Sequence, residues 1–186
     1  MAKSRFFLLF SLLLFVLFSC TQNFTGKPGE ESGRSAFPVP SESPLIRLDY
    51  PAGWKIDTSQ DYCDLIAFGP DDIYSIVTVE VMSGEGLEAY IRKYFHSFSF
   101  YEDFTVREER VFPFSSGAGR AFLYSYRETA RNQDFKEWAV FLEVEGHVIV
   151  IQYTAPGDLF DRYQALFQEL SATVRRSDRK KEGISR

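Results

Sequence analysis

The sequence predicts an α+β fold in which an antiparallel β-sheet is flanked by helices, and three observations support this. Several segments between residues 45 and 174 alternate apolar and polar residues with the two-residue period of strands. Two other segments space apolar residues three and four apart, which is typical of helices with one buried face. The strands come in groups, with helices between and after the groups. The predicted order is β-β-β-α-β-β-β-β-α.

Three strands are predicted in the first part of this region. The first covers residues 45–50 and is stopped by the turn residues Pro51, Ala52 and Gly53. The second and third cover residues 65–68 and 73–81, separated by the turn sequence Gly69-Pro70-Asp71-Asp72. We expect these two strands to form a hairpin.

A helix, four more strands and a second helix complete the predicted order. The first helical stripe contains Leu87, Tyr90, Ile91, Tyr94, Phe95 and Phe98. Strands are predicted at 104–112, 119–129, 135–145 and 147–154, with a tight-turn signal at Glu145-Gly146 between the last two. The final stripe contains Phe160, Tyr163, Phe167, Leu170 and Val174.

The strand at 135–145 predicts how the sheet is covered. Trp138, Val140, Leu142 and Val144 share one face, whereas Glu137, Glu143 and Glu145 mark the other. Such alternation is typical of an antiparallel sheet with one wet or thinly covered face.

The N-terminal residues have the pattern of an export signal. Lys3 and Arg5 precede a run of 13 residues, 6–18, that is apolar except for Ser11. A membrane-spanning helix needs about 20 apolar residues, so this run fits the core of a signal peptide better. Leu17-Phe18-Ser19-Cys20 resembles a lipobox, the sequence at which bacterial lipoproteins are cut before a lipidated cysteine. The alternatives are an ordinary secretory signal and an uncleaved anchor, each leaving Cys20 as a thiol.

We expect Cys20 to attach the protein to a membrane in the cell envelope, outside the cytoplasm. Acyl chains contribute about 0.8 kcal/mol per buried methylene, so two or three chains form a stable anchor. Thr21 stands where some Gram-negative bacteria read an Asp as an inner-membrane retention signal. The outer membrane is therefore favoured over the inner membrane.

Composition divides the chain into four parts. We predict a lipoprotein signal peptide at 1–19, the lipidated cysteine with a flexible tether at 20–44, one α+β domain at 45–174 and a basic disordered tail at 175–186. The tether is rich in Gly, Ser, Pro and Glu and cannot bury enough surface to offset its ordering entropy. With Cys20 lipidated, Cys63 has no intramolecular disulfide partner.

Charge limits the classes of partner. The chain has 21 Lys and Arg and 26 Asp and Glu, and loss of residues 1–19 removes Lys3 and Arg5, so the mature net charge is −7. An acidic protein has no general attraction to phosphate backbones, so we expect no nucleic-acid partner. The basic tail is typical of a solvated, frayed end, with a membrane-surface or partner contact as the alternative.

The turn Tyr50-Pro51-Ala52-Gly53-Trp54, followed by this order of elements, resembles the Mog1/PsbP-like superfamily. The segment from Val148 to Ala155 leading into an amphipathic helix fits the same family. The resemblance covers most of residues 45–174 and implies a sheet sandwiched by helices, used mainly for protein binding or assembly. It brings no catalytic residue set.

The residues capable of catalysis are few, and we expect no enzyme, no cofactor and no metal site. His96 lies among predicted helix residues and His147 follows a turn, so both are expected to be structural or exposed. Cys63 would form a dyad with either histidine only through tertiary proximity that a sequence does not reveal. Phosphate-binding, dinucleotide-binding and nucleophile-elbow motifs are absent from the sequence. The charged run from Arg107 to Arg110 predicts a solvated edge or face.

One cluster of carboxylates has two interpretations. The residues are Asp49, Asp57, Asp61, Asp64, Asp71 and Asp72. Converging loops of this kind can hold a hard cation such as calcium. Aspartate is also the ordinary turn and cap residue, and the spacing matches no calcium loop.

The sequence therefore favours an envelope-tethered, non-enzymatic protein-binding or assembly module, held to the membrane by the lipid on Cys20 and joined to a protein partner. The alternative function is a cation- or small-ligand-binding lipoprotein that uses the Asp-rich loops around residues 49–72.

Overall fold

A computed structural model of the chain describes residues 35–38, 45–81, 86–114 and 119–177. The strands are β1 (Ser35–Pro38), β2 (Ile46–Tyr50), β3 (Lys55–Asp57), β4 (Leu65–Phe68), β5 (Tyr74–Val81), β6 (Glu102–Val111), β7 (Gly119–Glu128), β8 (Gln133–Val144), β9 (His147–Pro156) and β10 (Arg175–Arg176). The helices are α1 (Leu87–Ser97), continued by the 3₁₀ turn Phe98–Phe100, and α2 (Gly157–Ala172). This is the predicted α+β fold.

Two antiparallel sheets organise the described residues. The large sheet has the order β3-β4-β5-β9-β8-β7-β6, and the small sheet has the order β1-β2-β10. The predicted hairpin is β4–β5. The predicted tight turn joins β8 to β9, with positive φ at Glu145 (50°) and Gly146 (76°). Consecutive positive φ values match the right-handed twist of a hairpin.

Helix α2 and strand β2 cover one face of the large sheet. Phe160, Phe167 and Leu170 of α2 are fully buried there, together with Ile46 of β2 and Trp138 of β8. The ring of Phe167 stacks on Tyr153, with 5.4 Å between centroids. One apolar core is therefore shared by the small sheet, α2 and the large sheet.

Helix α1 covers the other face with an aromatic layer. Leu87, Ile91 and Tyr94 of α1 pack against Phe141 of β8 and Val150 of β9. The ring of Tyr94 meets that of Phe141 edge-on at 4.9 Å, a favoured aromatic geometry. The architecture is therefore a helix, sheet, helix sandwich.

The prediction of one wet or thinly covered face is wrong. Glu137 lies on the α1 face but is only 5% exposed, and its neighbours Phe135, Ala139 and Phe141 on that face are buried. The alternation predicts that its polar residues face solvent, whereas the hydroxyls of two tyrosines donate hydrogen bonds to Glu137 inside the aromatic layer.

Three short strands lie outside the predicted elements. β1 falls within the predicted tether 20–44 and pairs with β2. β10 falls within the predicted tail 175–186 and pairs with the other edge of β2, where Ser177 N–H also bonds to Leu45 O at 3.0 Å. The third is β3, which extends the large sheet beside β4. The ordered domain is therefore wider than 45–174, because β2 offers two pairing edges.

The Pro-Ala-Gly-Trp turn closes a corner of the core. Gly53 has φ of 89°, a conformation that favours glycine. Trp54 is half-buried, with its ring 5.4 Å from that of Tyr50. A Cβ on Gly69 would lie 2.8 Å from the Trp54 ring and 2.7 Å from Ile73 Cγ1.

We expect Gly69→Ala to destabilise the protein by about 1 to 3 kcal/mol, because the added methyl overpacks the corner below Trp54. Urea denaturation at neutral pH measures the loss. Gly86→Ala is the matched control, since a Cβ there meets nothing within 4 Å. Equal free energies of unfolding for the two variants would contradict this account of the turn.

Candidate functional site

Exposed apolar side chains concentrate at the outer edge of the large sheet. Among the residues that the structure describes, the large apolar side chains that are exposed are Phe100 (86%), Val106 (42%) and Val111 (77%). Phe100 ends the 3₁₀ turn that leads into β6, and both valines lie on β6. We call these three residues the β6 strip. Single exposed apolar residues are ordinary, whereas a group on one segment is informative.

Strand β6 is an edge strand. In the described sheet it pairs with β7, and no strand lies on its other side. An edge of ten residues presents backbone N–H and C=O groups to which another chain can pair. Its register with β7 shifts between Glu102 and Thr105 and again between Val106 and Glu108, so the edge is not flat.

Pairing register places the two valines on the α1 face. Val106 lies opposite Tyr124, and Val111 lies opposite Arg120. Residues directly opposite in an antiparallel pair point to the same face. Tyr124 belongs to the aromatic layer, and Arg120 contacts Glu88 of α1. The strip therefore runs beside α1, on the face away from α2.

Phe104 fixes the start of β6 to the aromatic layer. Its ring lies 5.7 Å from Phe98, 5.9 Å from Tyr124 and 6.0 Å from Phe95, centroid to centroid. Partial burial of this ring holds the start of the strand against the layer, while the adjacent residues Asp103 and Thr105 remain exposed. The edge is therefore a strand that is packed against the core at its start, and not a loop.

The charged run on β6 is exposed except for the half-buried Glu108, as predicted for a solvated edge. Arg120 of β7 contacts Glu109 as well as Glu88. The Arg110 guanidinium lies 4.4 Å from the centre of the Trp138 ring, and Arg107 Nε donates to Ser125 Oγ at 3.0 Å. Four acids and two bases occur in β6, so the edge is acidic overall.

A buried polar network lies beneath α1, and reasoning from the sequence missed it. Tyr126 donates to one Glu137 carboxylate oxygen at 2.7 Å, and Tyr124 donates to the other. Gln152 Nε2 lies 3.3 Å from the second oxygen and also bonds to the Tyr94 hydroxyl. Tyr94 and Tyr124 hydroxyls are 2.8 Å apart, so the network joins α1 to three strands.

Burial dominates the electrostatics of Glu137. It raises the pKa of this carboxyl above its ordinary value, while hydrogen bonds from Tyr124, Tyr126, Gln152 and Thr154 oppose the rise. These donors are neutral, so the charged form gains no ion pair from them. A useful signal in the sequence was that Glu137 shares its face with Phe135, Ala139 and Phe141.

The structure does not bring the six aspartates together as a cation site. Asp57 accepts from Ser59 N–H at 2.8 Å, Asp64 accepts from Val79 N–H at 3.0 Å, and Asp71 accepts from the Tyr163 hydroxyl. Asp49 forms a bidentate pair with Arg175. Within the described ranges, no group of three His, Cys, Asp or Glu could hold a metal ion. These aspartates therefore act mainly in turns and pairs.

The other residues that the sequence offered as candidates for catalysis or attachment lie in different parts of the chain. Cys63 is buried beside Ile66 and Ile76, and burial, reinforced by Asp64 and Asp57, raises the pKa of its thiol to about 12. His96 is exposed on α1. His147 begins β9, with Nδ1 3.0 Å from Glu145 O. Cys20, the predicted lipidation site, lies outside the described residues.

Comparisons with known proteins show the fold. No family model matches the sequence, and no curated protein matches it. The solution structure of the cyanobacterial PsbP protein CyanoP from Synechocystis sp. PCC 6803 is similar, with 12% identity, 82% of this chain and 99% of that chain covered and a TM-score of 0.56. The chain therefore has an α+β, PsbP-like fold, as the resemblance in the sequence implied.

Two further structures are similar to the chain. LpqN from Mycobacterium tuberculosis, a protein involved in cell envelope biogenesis, has 12% identity, with 79% of this chain and 93% of that chain covered and a TM-score of 0.50. A protein of unknown function from Pseudomonas aeruginosa has 14% identity, with 74% and 93% covered and a TM-score of 0.49. At these identities the likenesses show the fold alone. In the described part of the chain, no helix is both long and apolar enough to cross a membrane.

We expect Glu137→Gln to change the pH dependence of stability. The native carboxyl has a raised pKa, so it retains a proton that the unfolded chain releases. Wild-type stability should therefore fall as the pH rises from the unfolded pKa, about 4.3, towards the native pKa. The glutamine side chain of the variant does not titrate, so the variant does not lose stability in this way. The unfolding free energy of the variant relative to wild type should rise with pH, by up to about 1.4 kcal/mol per pH unit in that window.

Urea denaturation between pH 4 and 8 measures this difference, and all shared titrations cancel in it. Glu143→Gln is the control, because Glu143 is a half-buried carboxylate on the same strand and outside the network. Parallel pH profiles for Glu137→Gln and wild type would show that burial does not perturb Glu137.

Proposed function

We propose that this chain is a lipid-anchored, non-enzymatic protein-binding module of the cell envelope, and that its β6 strip binds an extended, basic segment of a partner protein. The observation that carries the proposal is the grouping of Phe100, Val106 and Val111 on one unpaired sheet edge.

The envelope location is supported by the N-terminal residues. A short apolar run, 6–18, precedes Leu17-Phe18-Ser19-Cys20, which resembles a lipobox. Diacylation of Cys20 would hold the mature chain at a membrane. The involvement of LpqN in cell envelope biogenesis agrees with this location. The location itself rests on the leader sequence, because that neighbour shares only the fold.

The binding mode follows from the shape of the edge. An extended segment added beside β6 would pair with its outer backbone groups and place alternate side chains on the α1 face. There they would cover Val106 and Val111, which are the exposed large apolar residues of β6 on that face. Backbone pairing supplies affinity in such complexes, and the contacts with side chains supply specificity.

Charge selects a basic partner. Glu102 and Asp103 are exposed at the start of β6, and the strand has four acids and two bases. A second copy of the chain would bring the same acidic edge and a mature net charge of −7. Like charges placed across a sheet edge are destabilising. A partner segment that places a basic side chain opposite Glu102 or Asp103 is complementary in charge to this edge.

The non-enzymatic part of the proposal is supported by the positions of the reactive residues. The Cys63 thiol is buried and its pKa is about 12, so it is protonated at neutral pH. The exposed His96 lies on α1, whereas Cys63 packs beside Ile66 of β4 and Ile76 of β5. No observation favours the alternative of a cation site in the Asp-rich loops.

Lipidation is tested by Cys20→Ala. We expect this variant to lose incorporation of labelled palmitate and to leave the membrane fraction, because the acyl anchor is gone. Metabolic labelling and fractionation of producing cells measure both effects. Cys63→Ala is the matched control and should keep the label and the location. Membrane retention of unlabelled Cys20→Ala would favour an uncleaved anchor.

Binding is tested by a photo-crosslinking residue placed at Val106 in intact envelopes. We expect one adduct whose crosslinked segment, made as a peptide, binds the protein and slows amide hydrogen exchange in β6. Val111→Asp should weaken that peptide by about 10-fold or more, because it places a charge in the apolar contact. Titration by calorimetry measures the change.

Thr105→Asp is the control, since Thr105 lies opposite Ser125 on the other face of β6. It should weaken the peptide much less than Val111→Asp does. A crosslink between two copies of the chain, or peptide protection of amides elsewhere, would overturn the proposed binding mode.

A further inference from the structure

The backbone of β6 alternates between groups that bond to β7 and groups that face the open edge. The register with β7 is regular over residues 108–111. Immediately after it, Phe112 N–H donates to Gly119 O at 2.9 Å. Opposed residues of an antiparallel pair are alternately hydrogen-bonded and not. Counting back from Phe112, the N–H and C=O groups of Val111 and Glu109 therefore point away from β7, towards the edge.

These four outward groups define how a partner strand can pair with β6. Every strand pair in the described sheets is antiparallel, and antiparallel pairing is slightly the more stable kind. In this orientation one partner residue bonds to Val111, and the residue two positions later bonds to Glu109. We call these the first and third partner positions. Their side chains lie on the same face as those of Val111 and Glu109, which is the α1 face.

The first partner position faces an exposed apolar side chain. Val111 is 77% exposed, and it lies on the α1 face. An apolar side chain placed directly opposite would remove apolar surface of both strands from water. The first position therefore favours an apolar residue.

The third partner position faces a group with a net negative charge. Arg120 contacts Glu88 of α1 at 2.5 Å and also contacts Glu109, so the three side chains together carry a charge of −1. On the α2 face, Arg110 lies 3.7 Å from Glu108, and their two charges cancel. A basic side chain is therefore favoured at the third position, whereas at the second position it would lie opposite the like charge of Arg110.

We propose that the segment bound by β6 adds as an antiparallel strand, with an apolar residue opposite Val111 and a lysine or arginine opposite Glu109. From its N-terminus, this segment has the pattern apolar residue, any residue, basic residue. The inference rests on the proposed function of the β6 strip, to which it assigns a register, an orientation and a sequence pattern. A second copy of β6 does not fit the pattern, because Glu108 stands two residues after Val106.

Three synthetic peptides of nine residues test the pattern. Each has Gly-Ser-Thr before and Thr-Ser-Gly after its centre, with blocked ends, and the centres are Val-Thr-Lys, Val-Lys-Thr and Lys-Thr-Val. The three peptides share one composition and one net charge. The second places its valine and lysine on opposite faces of a strand, and the third has the order that a parallel strand requires. Binding to the chain 20–186 with Cys20→Ser is measured by titration of its amide NMR signals.

We expect the Val-Thr-Lys peptide to bind about 3- to 10-fold more tightly than the other two, because only this peptide matches both cross-strand contacts. In the free chain, the amides of Glu109 and Val111 should exchange faster than those of Arg110 and Phe112, and the peptide should slow the two fast ones. Equal affinities of the three peptides, or absence of binding by all three, would overturn the pattern.

A pair of charge variants locates the basic contact. Glu109→Gln should weaken the Val-Thr-Lys peptide by about 3-fold or more, since it removes the charge opposite the lysine. Glu169→Gln is the matched control, because it removes the same charge from the exposed side of α2 and should change binding less than about 1.5-fold. Circular dichroism verifies that both variants fold. Equal losses in the two variants would show attraction by net charge alone and would overturn the contact.

Further outcomes separate this inference from the proposed function. A segment crosslinked at Val106 that protects the amides of Glu109 and Val111 but lacks the pattern would overturn the pattern and leave binding at β6 in place. Protection of these amides in the free chain that increases with its concentration would show that a second copy occupies the edge. That result would overturn both the pattern and the proposed binding mode.

Discussion

The two longest central strands, β8 and β9, are buried on both faces, and the other elements are arranged around that requirement. Trp138 and Ile151 face α2, whereas Phe141 and Val150 face α1, and all four are at most 1% exposed. A sheet whose centre is apolar on both sides needs a layer over each side. The burial lessens outward from this pair, so that β3 and β6, at the two edges, carry mostly half-buried or exposed residues. The exposed edge is a consequence of where the core is centred.

The elements with a clear pattern of apolar residues could be predicted from the sequence. The short strands that exist only because they pair with β2 could not. Both helices and the strands of the large sheet longer than three residues were expected, because their side chains have the period of the element they form. β1 and β10 have four and two residues and lie in polar segments. Their strand character comes from pairing with β2, which in the case of β10 lies far away in the sequence, with Arg47 opposite Arg175. No local pattern contains that information, so the predicted tether and tail were too long.

The burial of Glu137 and the exposure of the β6 strip were not predicted from the sequence, for opposite reasons. Glu137 stands in an alternation that is typical of a solvent-facing residue, yet Tyr124 and Tyr126 from the adjacent strand supply donors that make its burial possible. The valines of β6 have the apolar, β-branched side chains that are typical of buried strands, yet they lie on an edge strand and remain exposed. In both cases the decisive fact is which strand lies alongside, and a strand's neighbours are fixed by the order of the sheet.

The order of the sheets also separates the β6 strip from the strand at which the chain enters the domain. β2 packs with α2, so the end of the molecule that is tied to Cys20 and to the basic tail belongs to one face of the large sheet. The β6 strip belongs to the other face, beside α1. A tether alone would leave the domain free to rotate, and either face would then meet the membrane. The edge beside α1 is then accessible to a partner in those orientations that turn the α2 face towards the membrane.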